Sequence, residues 1–207
     1  MTTTEKKRRT QAERSAETRE KILQATIDLL FEQGNARLTT AGVDERAGVS
    51  SGARVHHFRS KVDLVVEATK HTYDRAAELG RQRAEKARTS PNPLREYAQD
   101  CLSVYFDWPF IAALEVVVTA RTDEDLRLRL HPVLENFHNT MRTTWIGSLV
   151  AAGYDPAVAE EDLALTLNLI RGMAVNTLWQ RDNDRHIALL DAWCAERAGR
   201  IHLRRSA

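Results

Sequence analysis

The sequence predicts an all-α protein of about nine helices. Apolar residues recur every third or fourth position over long stretches, helix starts are marked by Ser, Thr, Asp or Asn caps with Pro or an acidic residue just behind them, and no segment alternates as a half-buried strand does. With 207 residues, 43% apolar and 29% charged, the chain is long enough to bury a core. No internal repeat is evident.

Taken in order, residues 1–14 hold Lys6, Lys7, Arg8, Arg9 and Arg14 with almost no apolar side chain, so they are expected to form a disordered basic arm. A first helix carries Ile22, Leu23, Ala25, Leu29 and Leu30 up to Gly34. Thr39 or Thr40 caps a second helix with Val43 and Ala47 on one face, Gly48 supplies a turn, and Ser50 or Ser51 caps a short third helix ending near His57. Ser60-Lys61-Val62-Asp63 has the form of a capping box and opens a long linker helix reaching about Thr89.

Past Ser90-Pro91-Asn92-Pro93, where paired prolines forbid continuation, a helix is expected over 94–106, then a break at Trp108-Pro109 and another helix over 110–120. Thr122 with Asp125 repeats the capping-box spacing and begins a long helix, kinked by Pro132, that ends near Gly153. Asp155-Pro156 restarts the chain. Leu163, Leu167, Ile170, Ala174 and Leu178 recur there at helical spacing, and Leu165, Leu169 and Met173 form a second stripe. The final helix, from about Asp184, aligns Ile187, Leu190, Cys194, Ala198 and Ile201.

Residues 39–64 thus read as two helices joined by a glycine turn and followed by a capped helix, the layout of a helix-turn-helix that presents its second helix to a DNA groove. With Ile22, Leu23, Ala25, Leu29, Leu30, Gly34, Thr39, Ala47-Gly48-Val49-Ser50, Gly52, His57-Phe58, Ser60-Lys61 and Leu64, residues 15–65 resemble the tetracycline-repressor (TetR) family of bacterial transcriptional regulators. The resemblance implies a DNA-binding domain at 15–61 and a ligand-binding and dimerisation domain at 62–207. It also implies an operator made of two half-sites, a homodimer, and repression relieved when a small molecule alters the spacing of the readers.

Within the candidate DNA-contacting set, His57, Lys61 and Thr39 resemble the family's phosphate contacts. Ser50, at the turn, joins that set. Ser51, Ala53, Arg54 and His56 are expected on the exposed part of the reading helix, where Arg pairs with guanine and a methyl touches thymine. Two residues depart from the family pattern. Val55 replaces an aromatic, usually Tyr, and lacks its hydroxyl; Asp44 replaces a packed Ala and is expected to reach solvent or pair with Arg46 or Arg54.

A single reader spans few base pairs, so specificity calls for a symmetric dimer on a palindromic site. The last two helices are the candidate dimer surface, through Leu163, Leu165, Leu167, Leu169, Ile170, Met173, Ala174, Leu178, Ile187, Leu190, Cys194, Ala198 and Ile201. Pocket candidates are Tyr105, Phe106, Trp108, Phe110, Leu114, Phe137, Met141 and Trp145, with polarity from Glu115, His138 or Asn139. These residues name no ligand class.

The net charge of +1 hides an asymmetry: residues 1–61 hold 12 Lys and Arg against 8 Asp and Glu, leaving the remainder acidic. Positive charge therefore sits with the candidate reader, as phosphate binding requires. The arm either is a solvated tail or lies in a minor groove beside the reader. No apolar segment follows its charges as in a signal peptide, and no run is long enough to span a bilayer, so a cytoplasmic location without membrane contact is expected. Cys101 and Cys194 are expected as buried thiols.

Metal, cofactor and catalytic readings find little support. His131 and His138 lie seven apart without a third ligand, no HExxH or paired CxxC spacing occurs, and glycine-rich phosphate loops and a GxSxG elbow are missing. The competing reading is a helical interaction module that has lost DNA binding, which Val55 and Asp44 favour.

Overall fold

The computed structural model describes residues 10–106, 110–180 and 182–205, without the side chains of 199–205. Residues 1–9, Trp108 and the Ile201 side chain, all subjects of the expectations above, lie outside it. The described residues form nine helices and no strand: α1 (Gln11–Arg37), α2 (Thr40–Ala47), α3 (Ser51–His57), α4 (Lys61–Ala87), α5 (Pro93–Tyr105), α6 (Phe110–Ala120), α7 (Glu124–Ala151), α8 (Pro156–Asn176) and α9 (Asn183–Arg205). They divide into two units. One takes the described chain up to His71 with Glu115–Leu130, the other Thr72–Leu114 with the chain from His131 onward.

In the first unit α1 starts earlier than expected. The Thr10 hydroxyl accepts from the Glu13 amide (3.2 Å) while the Glu13 carboxylate accepts from the Thr10 amide (2.7 Å), a reciprocal cap that makes residues 11–14 helical. Ile22, Leu23, Leu29 and Leu30 point inward, and Val43, Phe58 and Leu64 join them in the core. Toward its end α1 is interrupted at Gly34, with φ 77 and ψ 169, a region that only glycine occupies without strain. The Glu115 carboxylate packs on that glycine and accepts from the Ala36 amide (3.3 Å), which removes Glu115 from the list of pocket groups.

The turn residues settle the open caps. Thr39 caps α2, its hydroxyl accepting from the Gly42 amide (3.1 Å), and Ser50 caps α3, accepting from the Ala53 amide (3.2 Å). Between them Gly48 sits at φ 65, ψ 38 and ends α2 through left-handed geometry. Further on, the Ser60–Asp63 capping box forms as expected: Asp63 accepts from the Ser60 and Arg59 amides, and Ser60 from the Asp63 amide.

Arg54 corrects the expectation of an exposed base reader. It is 6% exposed: Nε donates to Asp44 Oδ1 (2.7 Å), Nη1 to the Phe58 carbonyl (3.0 Å) and Nη2 to Ser51 Oγ (3.2 Å). One guanidinium therefore ties α2 to both ends of α3, and Asp44 is its counter-ion. Arg46, the other candidate partner, pairs instead with Glu32 (2.6 Å).

In the second unit α5, α8 and α9 pack on one another. Asn92 caps α5 and Asp155 caps α8, each ahead of a first-turn Pro; Asp123 rather than Thr122 caps α7 by accepting from the Leu126 amide (3.0 Å). Pro132 is carried inside α7. The core here contains Leu94, Trp145, Leu149, Leu163, Ile170, Ala174, Leu190 and Cys194. Six of those had been assigned elsewhere by sequence. Trp145 is a packed core residue whose indole donates to the buried Asp100 (3.1 Å), not a pocket wall. Leu163, Ile170, Ala174, Leu190 and Cys194 face their own chain's core, not an outer surface.

Removing one member of a buried ion pair strands the other, at a cost of about 3 to 5 kcal/mol, whereas replacing both by apolar residues costs far less. Arg54→Ala is accordingly expected to lower stability in urea unfolding by about 3 kcal/mol, with the Asp44→Leu/Arg54→Met double variant recovering most of it; equal losses would contradict the brace. Gly34→Ala is expected to cost about 2 kcal/mol in the same assay, because φ 77 with ψ 169 is backbone geometry hostile to L residues, and its Cβ would also displace the Glu115 carboxylate.

Candidate nucleic-acid interface and ligand cavity

With Arg54 and Phe58 turned inward, the outer side of α3 consists of Ser51, Gly52, Val55 and His56, all exposed, with Ala53 half-buried. Val55, one of the two residues that depart from the family pattern, is 46% exposed and leaves an apolar surface on α3. Ser51 is oriented by the bond it accepts from Arg54 and keeps its own proton to donate. The Thr39 and Ser50 hydroxyls likewise accept from backbone amides, which leaves each O–H to donate outward.

His57 is half-buried, its ring beside those of His56 (5.1 Å) and Phe58 (6.3 Å). Burial first, then the charges of His56 and Arg19, hold its pKa below the ordinary histidine value, so near neutral pH it donates as an uncharged imidazole. Lys61 Nζ donates to the Asn35 carbonyl (2.6 Å), which satisfies an acceptor near the end of α1 and fixes the ammonium at the start of α4. Arg19, stacked over Phe58 (5.4 Å) and paired with Glu67 (2.6 Å), braces the same corner.

The second unit holds a cavity of about 320 Å³ among α5, α7 and α8. Of the residues expected there, Tyr105, Phe137, Met141, His138 and Asn139 line it; Phe106, Phe110, Leu114 and Trp145 do not. Leu163 and Leu167, expected in a dimer surface, belong to its wall. Sequence reasoning missed Arg171, Tyr97, Asp100 and Cys101. The Arg171 position, one residue after Ile170 on a helix with two apolar stripes, was the available cue. Burial pushes the Cys101 thiol up to about 12, leaving it protonated.

The exposed remainder of the predicted dimer surface is Leu165, Leu169, Leu178 and Ile187, with Met173 and Ala198 half-buried. Trp179 and Leu189, which sequence reasoning passed over, are 69% and 52% exposed. Among the described residues no cluster of three His, Cys, Asp or Glu is placed to hold a metal, and no single helix is long and apolar enough to cross a membrane.

A family profile described as "Bacterial regulatory proteins, tetR family" matches residues 22–68. The HTH-type transcriptional regulator CymR of Pseudomonas putida is 35% identical over 179 residues, spanning 86% of this chain and 88% of its own. Among solved structures, a TetR transcription regulator from Haloarcula marismortui superposes with a TM-score of 0.66 at 19% identity, covering 90% of this chain and 98% of that one. FadR of Bacillus subtilis, solved in complex with stearoyl-CoA, superposes with a TM-score of 0.60 at 14% identity, covering 86% and 97%. The chain belongs to the TetR family of DNA-binding transcriptional regulators.

Proposed function

We propose that this regulator is a cytoplasmic homodimeric repressor that reads a palindromic operator with α3 and leaves it when a small molecule fills the cavity of the second unit. The observation that carries the reading is the outer side of α3, where Ser51, Gly52, Val55 and His56 are exposed on a helix that Arg54 holds from behind. His56 and the Ser51 hydroxyl offer hydrogen bonds to base edges, and Val55 with the Ala53 methyl suits a thymine methyl. Thr39, Ser50, His57 and Lys61 are the positioning contacts to phosphates.

Pairing is supported by the exposed apolar side chains of Leu165, Leu169, Leu178, Trp179, Ile187 and Leu189, which lie on the last two helices and the turn between them, where a second copy would cover them. Regulation is supported by the cavity, and by the stearoyl-CoA held by a protein of this fold. The chain passes from one unit to the other within α4, α6 and α7, so a change in the second unit is covalently linked to the reader three times over. A ligand relieves repression only if it favours the non-binding arrangement.

Binding to duplexes recovered from bound genomic fragments, measured at several salt concentrations, tests the DNA reading. Lys61→Ala is expected to reduce affinity for all sequences and flatten the salt slope by about one unit, and His57→Ala to weaken binding to all sequences. His56→Ala is expected to relax preference at one base pair per half-site, a loss of about 1 to 3 kcal/mol. Preference unaltered by both His56→Ala and Val55→Ala would remove α3 as the reader. Leu165→Glu with Leu169→Glu is expected to shift sedimentation from dimer to monomer; an unchanged dimer would place the interface elsewhere.

A further inference from the structure

We propose that the cavity of the second unit is a site for a compact organic monocarboxylate, its carboxylate paired with Arg171 and its apolar body lying among Val104, Phe137, Met141, Leu163 and Leu167. This rests on the reading of the cavity as the regulatory site and gives that site a ligand chemistry. The observation behind it is a guanidinium in an apolar cavity with no counter-ion among the described residues.

Every acidic group of the cavity wall already has a basic partner. Buried Asp100 pairs with Arg83 (2.9 Å), and Glu160 pairs with Arg142 (2.9 Å). Arg171 pairs with no carboxylate among the described residues; its Nε donates to the Tyr105 hydroxyl (3.0 Å), and its Nη2 lies 3.1 Å from His138 Nε2 and 3.4 Å from Nδ1. The guanidinium also stacks over the Tyr105 ring (5.3 Å). All these neighbours are neutral near pH 7: burial raises the Tyr97 and Tyr105 hydroxyls and the Cys101 thiol, and burial, with Arg171 next, lowers His138 to about 4.

Among the described residues the wall therefore carries one uncompensated positive charge. A half-buried cation is favourable when an anion meets it, and a planar guanidinium fits a carboxylate through paired hydrogen bonds. Five N–H donors belong to Arg171, and its contacts engage only Nε and Nη2, so Nη1 has no hydrogen-bond partner among the described residues. Tyr105, which accepts from Arg171, keeps its proton to donate to the same carboxylate. At about 320 Å³ the cavity is at the small end of the range for ligand sites, which selects a compact molecule.

The test uses the full chain, calorimetry and matched probes: 3-phenylpropionate and octanoate, their neutral amides, and the corresponding amines. The carboxylates are expected to bind, the amides roughly 10- to 100-fold more weakly, and the amines not at all. Arg171→Gln should erase the difference between acid and amide, and Arg171→Lys should keep part of it; circular dichroism and DNA affinity establish that the variants fold. Amides binding as tightly as acids, no carboxylate binding at millimolar concentration, or Arg171→Gln retaining full preference would each overturn the assignment. Should Arg171→Gln fail to fold, the wild-type panel and Arg171→Lys decide it.

Release of a selected duplex, followed by anisotropy in the same titrations, separates this from the regulatory reading. Carboxylates that bind without releasing DNA keep the ligand class and defeat the reading of the cavity as regulatory. Release by a neutral probe that outcompetes the acids does the reverse.

Discussion

The pairing of Arg54 with Asp44 is the constraint on which the DNA-facing surface depends. A seven-residue helix cannot hold its own shape in water, since helix nucleation costs more than so few hydrogen bonds return. The orientation of α3 must come from tertiary contacts. A guanidinium that reaches Asp44 on α2, Ser51 at the front of α3 and the Phe58 carbonyl behind it fixes position and tilt together. Asp44, an unwelcome carboxylate when read alone, is the partner that makes burial of Arg54 tolerable. The two residues are one structural device.

Once Arg54 is committed inward, the surface offered to DNA is lean in charge. Burial first, with His56 and Arg19 beside it, lowers the His57 pKa below the ordinary histidine value, and the exposed residues of α3 are Ser51, Gly52, Val55 and His56. On the proposed reading, preference over sequence then rests on hydroxyl, imidazole and methyl contacts, and nonspecific attraction on basic residues such as Lys61. The second unit reverses this allocation. The two carboxylates of its cavity wall, Asp100 and Glu160, are paired with Arg83 and Arg142, and among the described residues Arg171 is left without a carboxylate partner among neutral hydroxyl, thiol and imidazole groups.

Helix positions were legible because caps, prolines and glycines are local. Thr39, Ser50, the Ser60–Asp63 box, Asn92 and Asp155 each act within one turn of chain, and the turn at Gly48 needs nothing beyond its own backbone. The Thr10–Glu13 box was equally local and was hidden by the basic residues around it. Side-chain direction was less legible. Periodicity puts Ile170 and Leu165 on apolar stripes alike, and only the packing of α5, α8 and α9 determines that Ile170 is core while Leu165 is surface. For Arg54 the pairing with Asp44 was among the alternatives read from sequence, but only the packing of α2 against α3 determines that the pair is buried and the guanidinium turned away from the surface. Trp145 belongs to the core since a buried indole needs an acceptor, and Asp100 supplies it from α5.

On the proposed reading, two copies of α3 read two half-sites on one side of a duplex. Footprinting of a selected operator, combined with the mass of the complex in solution, tests it most directly. Two protected half-sites with inverted symmetry, centres about 34 Å or a multiple apart, and an even number of chains bound are expected. A single protected half-site occupied by one chain, or protection without sequence preference, would contradict it.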